Sequence, residues 1–186
     1  MKKLCALARK GEIDLWAMDE VHFQQHGSRC RMWVPPEVKD PVCYHAPTRK
    51  SISFFGAVRL GDGKLVMSQP EGMFDAQTCW QFLRKLEGIA RRTGRKAVVI
   101  SDNARYHHAS LHEGWRNEVA DHFALHFLSP YSPQLNPIER VWKLIRRCCL
   151  HNRYFHELSE VVRALEPRLH DWSRPNATLR RLCAIV

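Results

Sequence analysis

The chain has 186 residues, 45% hydrophobic and 10% aromatic, which suffices for one folded core and excludes a disordered or low-complexity chain. Its 29 lysines and arginines outnumber 19 acidic residues for a formal charge of +10, which points to a polyanionic partner. No apolar run approaches the ~20 residues that cross a bilayer, and the first ten residues lack the apolar stretch of a signal peptide, so a cytoplasmic protein with no membrane association is expected.

No repeat or linker tract divides the chain, and a single domain over residues 1–186 is expected. Residues 12–18 predict a strand with Ile13, Leu15 and Ala17 on one face and Asp19 at its end. From His22 to Arg49, Gly27, Pro35, Pro36, Pro41 and Pro47 predict irregular structure around at most one short strand at 31–34. The β-rich runs 51–60 and 64–68, separated by Gly61-Asp62-Gly63, predict an antiparallel hairpin. Asp75 is placed to cap an amphipathic helix reaching about Arg92, with Phe82, Leu83, Leu86, Ile89 and Ala90 on its apolar stripe.

Residues 97–101 predict a buried strand that ends at Asp102, followed by a helix around 108–120 and a strand at 124–128. After the turn-rich stretch 129–137, a helix carries Ile138, Val141, Trp142, Ile145 and Cys149 on one side, and a last helix covers about 157–172. Hairpin strands followed by helix-separated strands describe an α/β domain built on a mixed sheet. The seven cysteines are odd in number and form no C-x-x-C pair, so they read as reduced thiols. The 11 histidines form no zinc-ligand set of recognised spacing.

Three carboxylates stand out by position. Asp19 and Asp102 each end a predicted strand and Glu139 lies in the first turn of a predicted helix, so folding can bring them to one sheet edge. Hard divalent cations take such oxygen ligands and keep positions open for phosphate oxygens, and two ions together can clamp a scissile phosphate. Each residue also has a structural alternative. Asp102-Asn103 can serve as a turn, and Asn136, Pro137 and Glu139 have the spacing of a helix N-cap, first position and capping-box acid. Neighbours on a strand point to opposite faces, so only one of Asp19 and Glu20 reaches a shared site; Asp19 is the candidate ligand and Glu20 its alternative.

Cations flank these positions. Arg140, Lys143, Arg146 and Arg147 follow Glu139 on the same helix, either as a stripe for DNA phosphates or as a solvated face. Asn103 foremost, then Arg105, His107 and His108, follow Asp102 and are candidates to touch DNA or orient a metal-bound water. Trp16, Trp80, Trp142 and Trp172 read as core residues, and Trp33 as the exception.

The stretch Phe127-Leu128-Ser129-Pro130-Tyr131-Ser132-Pro133-Gln134-Leu135-Asn136-Pro137-Ile138-Glu139-Arg140-Val141-Trp142 closely resembles the signature around the catalytic glutamate of the insertion-sequence 630 family of transposases. Ser101-Asp102-Asn103-Ala104-Arg105-Tyr106-His107 and Met18-Asp19-Glu20 resemble the blocks that hold that family's second and first aspartates. The resemblance extends to the Tc1/mariner group and covers nearly the whole chain, including Phe55-Gly56-Ala57-Val58. It implies a ribonuclease H-like fold, a mixed five-stranded sheet with helices on both faces, and two Mg2+ or Mn2+ ions held by Asp19, Asp102 and Glu139. The implied activity is hydrolytic cleavage at element ends and attack of the freed 3′-hydroxyl on target DNA. Transposon-end and target DNA, and a second copy of the chain in a homodimer, are the implied partners, at a bacterial nucleoid.

The chain begins just before the first catalytic strand, with no room for the family's N-terminal helix-turn-helix region, so recognition of element ends by this chain alone is not expected, and a separately encoded recognition region is one partner that would supply it. A reading frame normally fused by frameshifting, a truncated copy and an excised domain all fit that departure. Two other functions fit the same residues: a nuclease of this fold that cuts without joining, and a non-catalytic remnant that regulates a full-length transposase through mixed assemblies.

Overall fold

The computed structural model describes residues 2–39, 41–42, 44–129 and 132–185, so Cys43 and, in the turn-rich stretch, Pro130 and Tyr131 lie outside the described residues. In chain order the elements are α1 (Lys2–Arg9), β1 (Ile13–Gln24), β2 (Ser51–Arg59), β3 (Leu65–Ser68), α2 (Ala76–Thr93), β4 (Lys96–Ser101), α3 (Glu113–Glu118), β5 (Phe123–Phe127), α4 (Ile138–Ile145), α5 (Leu158–Trp172) and α6 (Ala177–Leu182). The strands form one five-stranded sheet in the order β3-β2-β1-β4-β5. β1, β2 and β3 pair antiparallel, and β4 and β5 extend the sheet parallel to β1.

Local chemistry explains the order. Asp62 closes the β2–β3 hairpin by accepting the Lys64 N–H at 3.1 Å and two hydrogen bonds from the Arg59 guanidinium at 2.9 and 2.6 Å. Arg59 also reaches Asp14 at the start of β1 at 2.9 Å, which ties the turn to the central strand. Asp75 and Thr78 form a reciprocal capping box at the start of α2. From there α2 crosses one sheet face, burying Cys79, Phe82, Leu83, Leu86, Ile89 and Ala90, and delivers the chain to β4.

Alternation along β1 separates two cores. Trp16 and Met18, with Phe55, Ala57 and Val99, lie under α2. Ala17, Val21 and Phe23, with Ile52, Phe54 and Val58, lie under Ile138, Val141, Trp142 and Ile145 of α4 and under Val161 and Leu165 of α5. Each Val, Leu, Ile, Phe or Met among them contributes about 1.5–3 kcal/mol on burial. Helices therefore cover both faces of the mixed sheet. The described cysteines are free thiols, and among the described residues no helix is long and apolar enough to cross a membrane.

Three expectations need correction. β1 continues to Gln24 instead of ending at Met18, because its pairing with β2 runs on from Asp19↔Gly56 to Gln24↔Ser51. The helix expected over 108–120 is two single 3-10 turns, Arg105–His108 and Ser110–His112, and then the short α3. The interruption comes at Ala109, whose ψ of 137° is extended, while His107 and His112 turn inward and are fully buried. The third correction concerns the start of α4 and is taken up with the site. Beyond Gln24 the Pro-rich stretch is irregular, as its composition predicts: residues 31–34 form no strand, Pro35 and Pro36 follow at once, and Trp33 is fully exposed. Two short helices, α1 and α6, were not anticipated; α1 buries no residue of its own and rests Leu4, Cys5 and Ala8 on Leu15, Val98 and Ile100.

Candidate active site

β1 loses one neighbour where the site begins. Its ladder with β4 stops at Ala17↔Ile100, while its ladder with β2 continues, so Asp19 sits in mid-strand at the fork between β1 and β4. Asp19 and Glu20 point to opposite faces. Asp19 shares the α4 face, where the Trp142 indole Nε1–H donates to its Oδ2 at 3.0 Å. Glu20 turns to the α2 face, where its Oε1 lies 3.0 Å from His107 Nε2.

Glu139 lies one helical turn before Trp142, so a single face of α4 presents both residues toward β1. Burial, then the negative charges of Glu20 and Glu139, push the Asp19 carboxyl up to about 7, against the lowering effect of the Trp142 hydrogen bond. A hollow beside them is lined by Glu20, Val21, His22 and Gln24 of β1, by Gly27 and Ser28, and by Glu139, Trp142, Arg146 and Leu150.

The capping box expected at the start of α4 is not formed. Pro137 occupies the cap position without a side-chain hydrogen bond. Asn136, nearly fully buried, instead donates Nδ2–H to the carbonyl of Met18 at 2.9 Å. That carbonyl lies just past the last β1–β4 rung, where the diverging strand leaves it without a ladder partner on that side, so Asn136 braces the strand carrying Asp19 against the helix carrying Glu139. The Glu139 side chain is thereby left out of any cap.

Asp102 follows the last residue of β4, and its half-exposed carboxylate accepts from His107 Nδ1 at 3.0 Å. That bond, opposed by partial burial and helped by the Ala104 N–H, holds Asp102 below the usual carboxylate range. Burial alone would lower His107, but its hydrogen bonds with Asp102, Cys79 and Glu20 push it up to about 12, so it is an imidazolium clasped between two carboxylates. Among the described residues, Glu20, Asp102 and His107 are the set of three whose ligand atoms lie within 4.8 Å of one another; Asp19, Asp102 and Glu139 do not form such a set. The sequence suggested contact or packing for His107 and core packing for Trp142. The pairings of His107 with Glu20 and of Trp142 with Asp19 join residues 87 and 123 positions apart and leave no local signal.

The flanking polar residues divide. Asn103 donates to the Leu128 carbonyl and pairs through Oδ1 with His108 Nε2 at 3.2 Å, so both ends of its amide are engaged within the protein. Arg105 is exposed in the first 3-10 turn. Arg140 turns from the site and donates to the carbonyls of Leu182 and Ala184 at 2.9 and 3.2 Å. Arg146 stays at the hollow, 3.4 Å from the His22 carbonyl and over the Phe23 ring. Lys143 and Arg147 are exposed, one turn apart.

The donor set suits a hard divalent cation. It consists of carboxylate oxygens, and Asp19 is raised first by burial and then by the negative charges of Glu20 and Glu139.

Comparisons with known proteins agree on the architecture. A crystal structure of the Mos1 strand transfer complex superposes with a TM-score of 0.66 at 18% identity, covering 97% of this chain and 54% of that one. The catalytic domain of Mos1 mariner transposase matches at a TM-score of 0.63 and 14% identity, covering 98% of this chain and 81% of that one. The shared fold is ribonuclease H-like. An uncharacterized protein y4pE/y4sA of Sinorhizobium fredii is 39% identical over 69 residues, 37% of this chain and 47% of that protein. The chain thus spans about half the length of the curated relative and of the full transposase chain it matches. A family model described as "DDE superfamily endonuclease" matches residues 14–162, and the chain belongs to that family.

Proposed function

We propose that this chain is the catalytic domain of a DNA transposase, in which Asp19, Asp102 and Glu139 hold two divalent cations, Mg2+ or Mn2+, for strand cleavage and strand transfer. The observation that carries this reading is the nearness of Asp19 to Glu139, whose charge, after burial and Glu20, helps push Asp19 up to about 7, beside a hollow that Glu139 and Trp142 line. Structures of Mos1 paired-end complexes with Mn and with Mg lend the reading support from proteins of the same fold. When bound, two such ions make the attacking oxygen more nucleophilic and stabilise the leaving oxygen.

The chain's own residues supply placement. Trp142 holds Asp19, α4 projects Glu139 from its first turn, and Asp102 turns from His107 toward them, which its half-exposed side chain allows. Arg146 at the hollow and Lys143 and Arg147 beside it bind phosphates of element-end and target DNA. In cleavage, a water oxygen bonds to phosphorus as the bond to the 3′-oxygen breaks, leaving a 5′-phosphate and a 3′-hydroxyl. In joining, that 3′-oxygen bonds to a target phosphorus and expels the target's 3′-oxygen, which takes up the proton. No side-chain nucleophile is required.

The test is Mn2+ calorimetry on the wild type and Asp102→Ala, beside assays with labelled DNA and with a pre-cut 3′ end. The wild type is expected to bind Mn2+ and join the supplied end, and Asp102→Ala to lose both. Unchanged binding in the variant overturns the site. Cutting without joining means a nuclease, and binding without either means a regulatory relative.

A further inference from the structure

The strand register places Gly56 of β2 directly opposite Asp19. A Cβ built on Gly56 would stand 2.2 Å from Cη2 and 2.9 Å from Cζ2 of Trp142. The six-membered edge of the indole therefore occupies the space a side chain at 56 would need. The ring also meets Phe23 nearly edge-on, with centroids 6.5 Å apart. Held between these contacts and almost fully buried, the ring directs its N–H at Oδ2 of Asp19.

We infer that Trp142, seated on Gly56, is a positioning residue for Asp19: its N–H takes one carboxylate oxygen and turns the other toward the cation site. The inference rests on the metal-binding role proposed above. A phenyl ring would fill much of the same core but bring no donor, whereas a buried indole N–H needs an acceptor. Here that acceptor is a carboxylate on the neighbouring strand, not a nearby carbonyl. The terminal torsion of an aspartate is soft, and a hydrogen bond to one of its oxygens removes that freedom, as partners of metal-ligating carboxylates do. Because Glu139 precedes Trp142 by one turn, α4 supplies one candidate ligand and orients another.

The test uses the full chain with four proteins: wild type, Trp142→Phe, Gly56→Ala and Trp172→Phe. Trp172 is buried in the same core, with the Arg168 guanidinium over its ring, so its variant measures the cost of truncating a tryptophan there. Calorimetry with Mn2+ is expected to show affinity about ten- to a hundredfold weaker in Trp142→Phe and Gly56→Ala, and unchanged in Trp172→Phe. In parallel, the Trp142 indole N–H resonance, identified by its absence in Trp142→Phe, is expected to move in Asp19→Ala without metal and in wild type on addition of Mg2+. Wild-type affinity in Trp142→Phe, equal losses in Trp142→Phe and Trp172→Phe, or an indole resonance indifferent to Asp19→Ala would each overturn the inference and leave the metal reading standing. A wild type that binds no Mn2+ would overturn both.

Discussion

A carboxylate placed beside two others and away from water costs the folded state free energy whenever it is ionised. Asp19 is in that position, its folded value pushed up to about 7 from 3.8 by burial and then by Glu20 and Glu139. The cost is absent below about pH 4, grows as pH rises toward 7, and is complete above it. Asp19→Asn, with no divalent metal present, should therefore raise the melting temperature near pH 8 and leave it unchanged near pH 4. The gain is on the order of 1–3 kcal/mol. Equal melting curves at both pH values would show that the site carries no such charge. His107 has the opposite sign: raised from 6.5 to about 12 by Asp102, Cys79 and Glu20 against burial, it adds stability that is full below 6.5 and lost only as pH climbs through 12. His107→Ala leaves the nearly buried Glu20 without its cation, and a loss of roughly 2–4 kcal/mol is expected by urea denaturation at neutral pH. A loss below about 0.5 kcal/mol, the usual size at an unconstrained surface position, would remove the clasp from the account.

At the level of elements, the β2–β3 turn makes a comparison between two neighbouring glycines. Gly63 has φ +76°, and a Cβ there would lie 2.2 Å from the Asn176 carbonyl oxygen and 2.4 Å from the Arg180 nitrogen at the start of α6, whereas a Cβ on Gly61 meets nothing within 4 Å. Gly63→Ala should cost about 2–4 kcal/mol by denaturant midpoint, and Gly61→Ala less than about 1 kcal/mol. Similar small costs for both would mean that α6 is not packed on the turn. The turn itself was legible from Gly61-Asp62-Gly63, and so were α2, α4 and α5, because their apolar spacing survives in the buried faces. What escaped detection was decided between elements. The second half of β1 reads as polar at Asp19, Glu20, His22 and Gln24, yet β2 continues to pair with it. Asn136, with the spacing of a helix cap, reaches the Met18 carbonyl, which a diverging strand leaves without a ladder partner. The three acidic positions were recognisable by motif, but Asp102 resting on His107 and Asp19 on Trp142 depend on which strand faces which helix.

For the whole molecule, the formal charge of +10 favours any polyanion, so weak binding to DNA would by itself say little about where DNA lies. Removing any one cation lowers that general field by the same unit charge. A phosphate contact adds something local: each one contributes about 0.9 to the slope of log affinity against log salt. Arg140 is committed to the carbonyls of Leu182 and Ala184, whereas Lys143 is exposed on the helix that carries Glu139 and Arg147 on the π-helical turn that continues it. The double variant Lys143→Ala/Arg147→Ala should therefore flatten the salt dependence of binding to a short duplex by about 2, one for each phosphate. Arg140→Ala should leave the slope near wild type and instead lower the melting temperature, because the carbonyls at the chain's end lose their donor. If Arg140→Ala flattened the slope while the double variant did not, DNA would run along the opposite side of α4, away from the hollow that Glu139 lines. A uniform small decrease in all variants would mean that net charge alone attracts the nucleic acid, and that α4 places Glu139 without itself touching the DNA backbone.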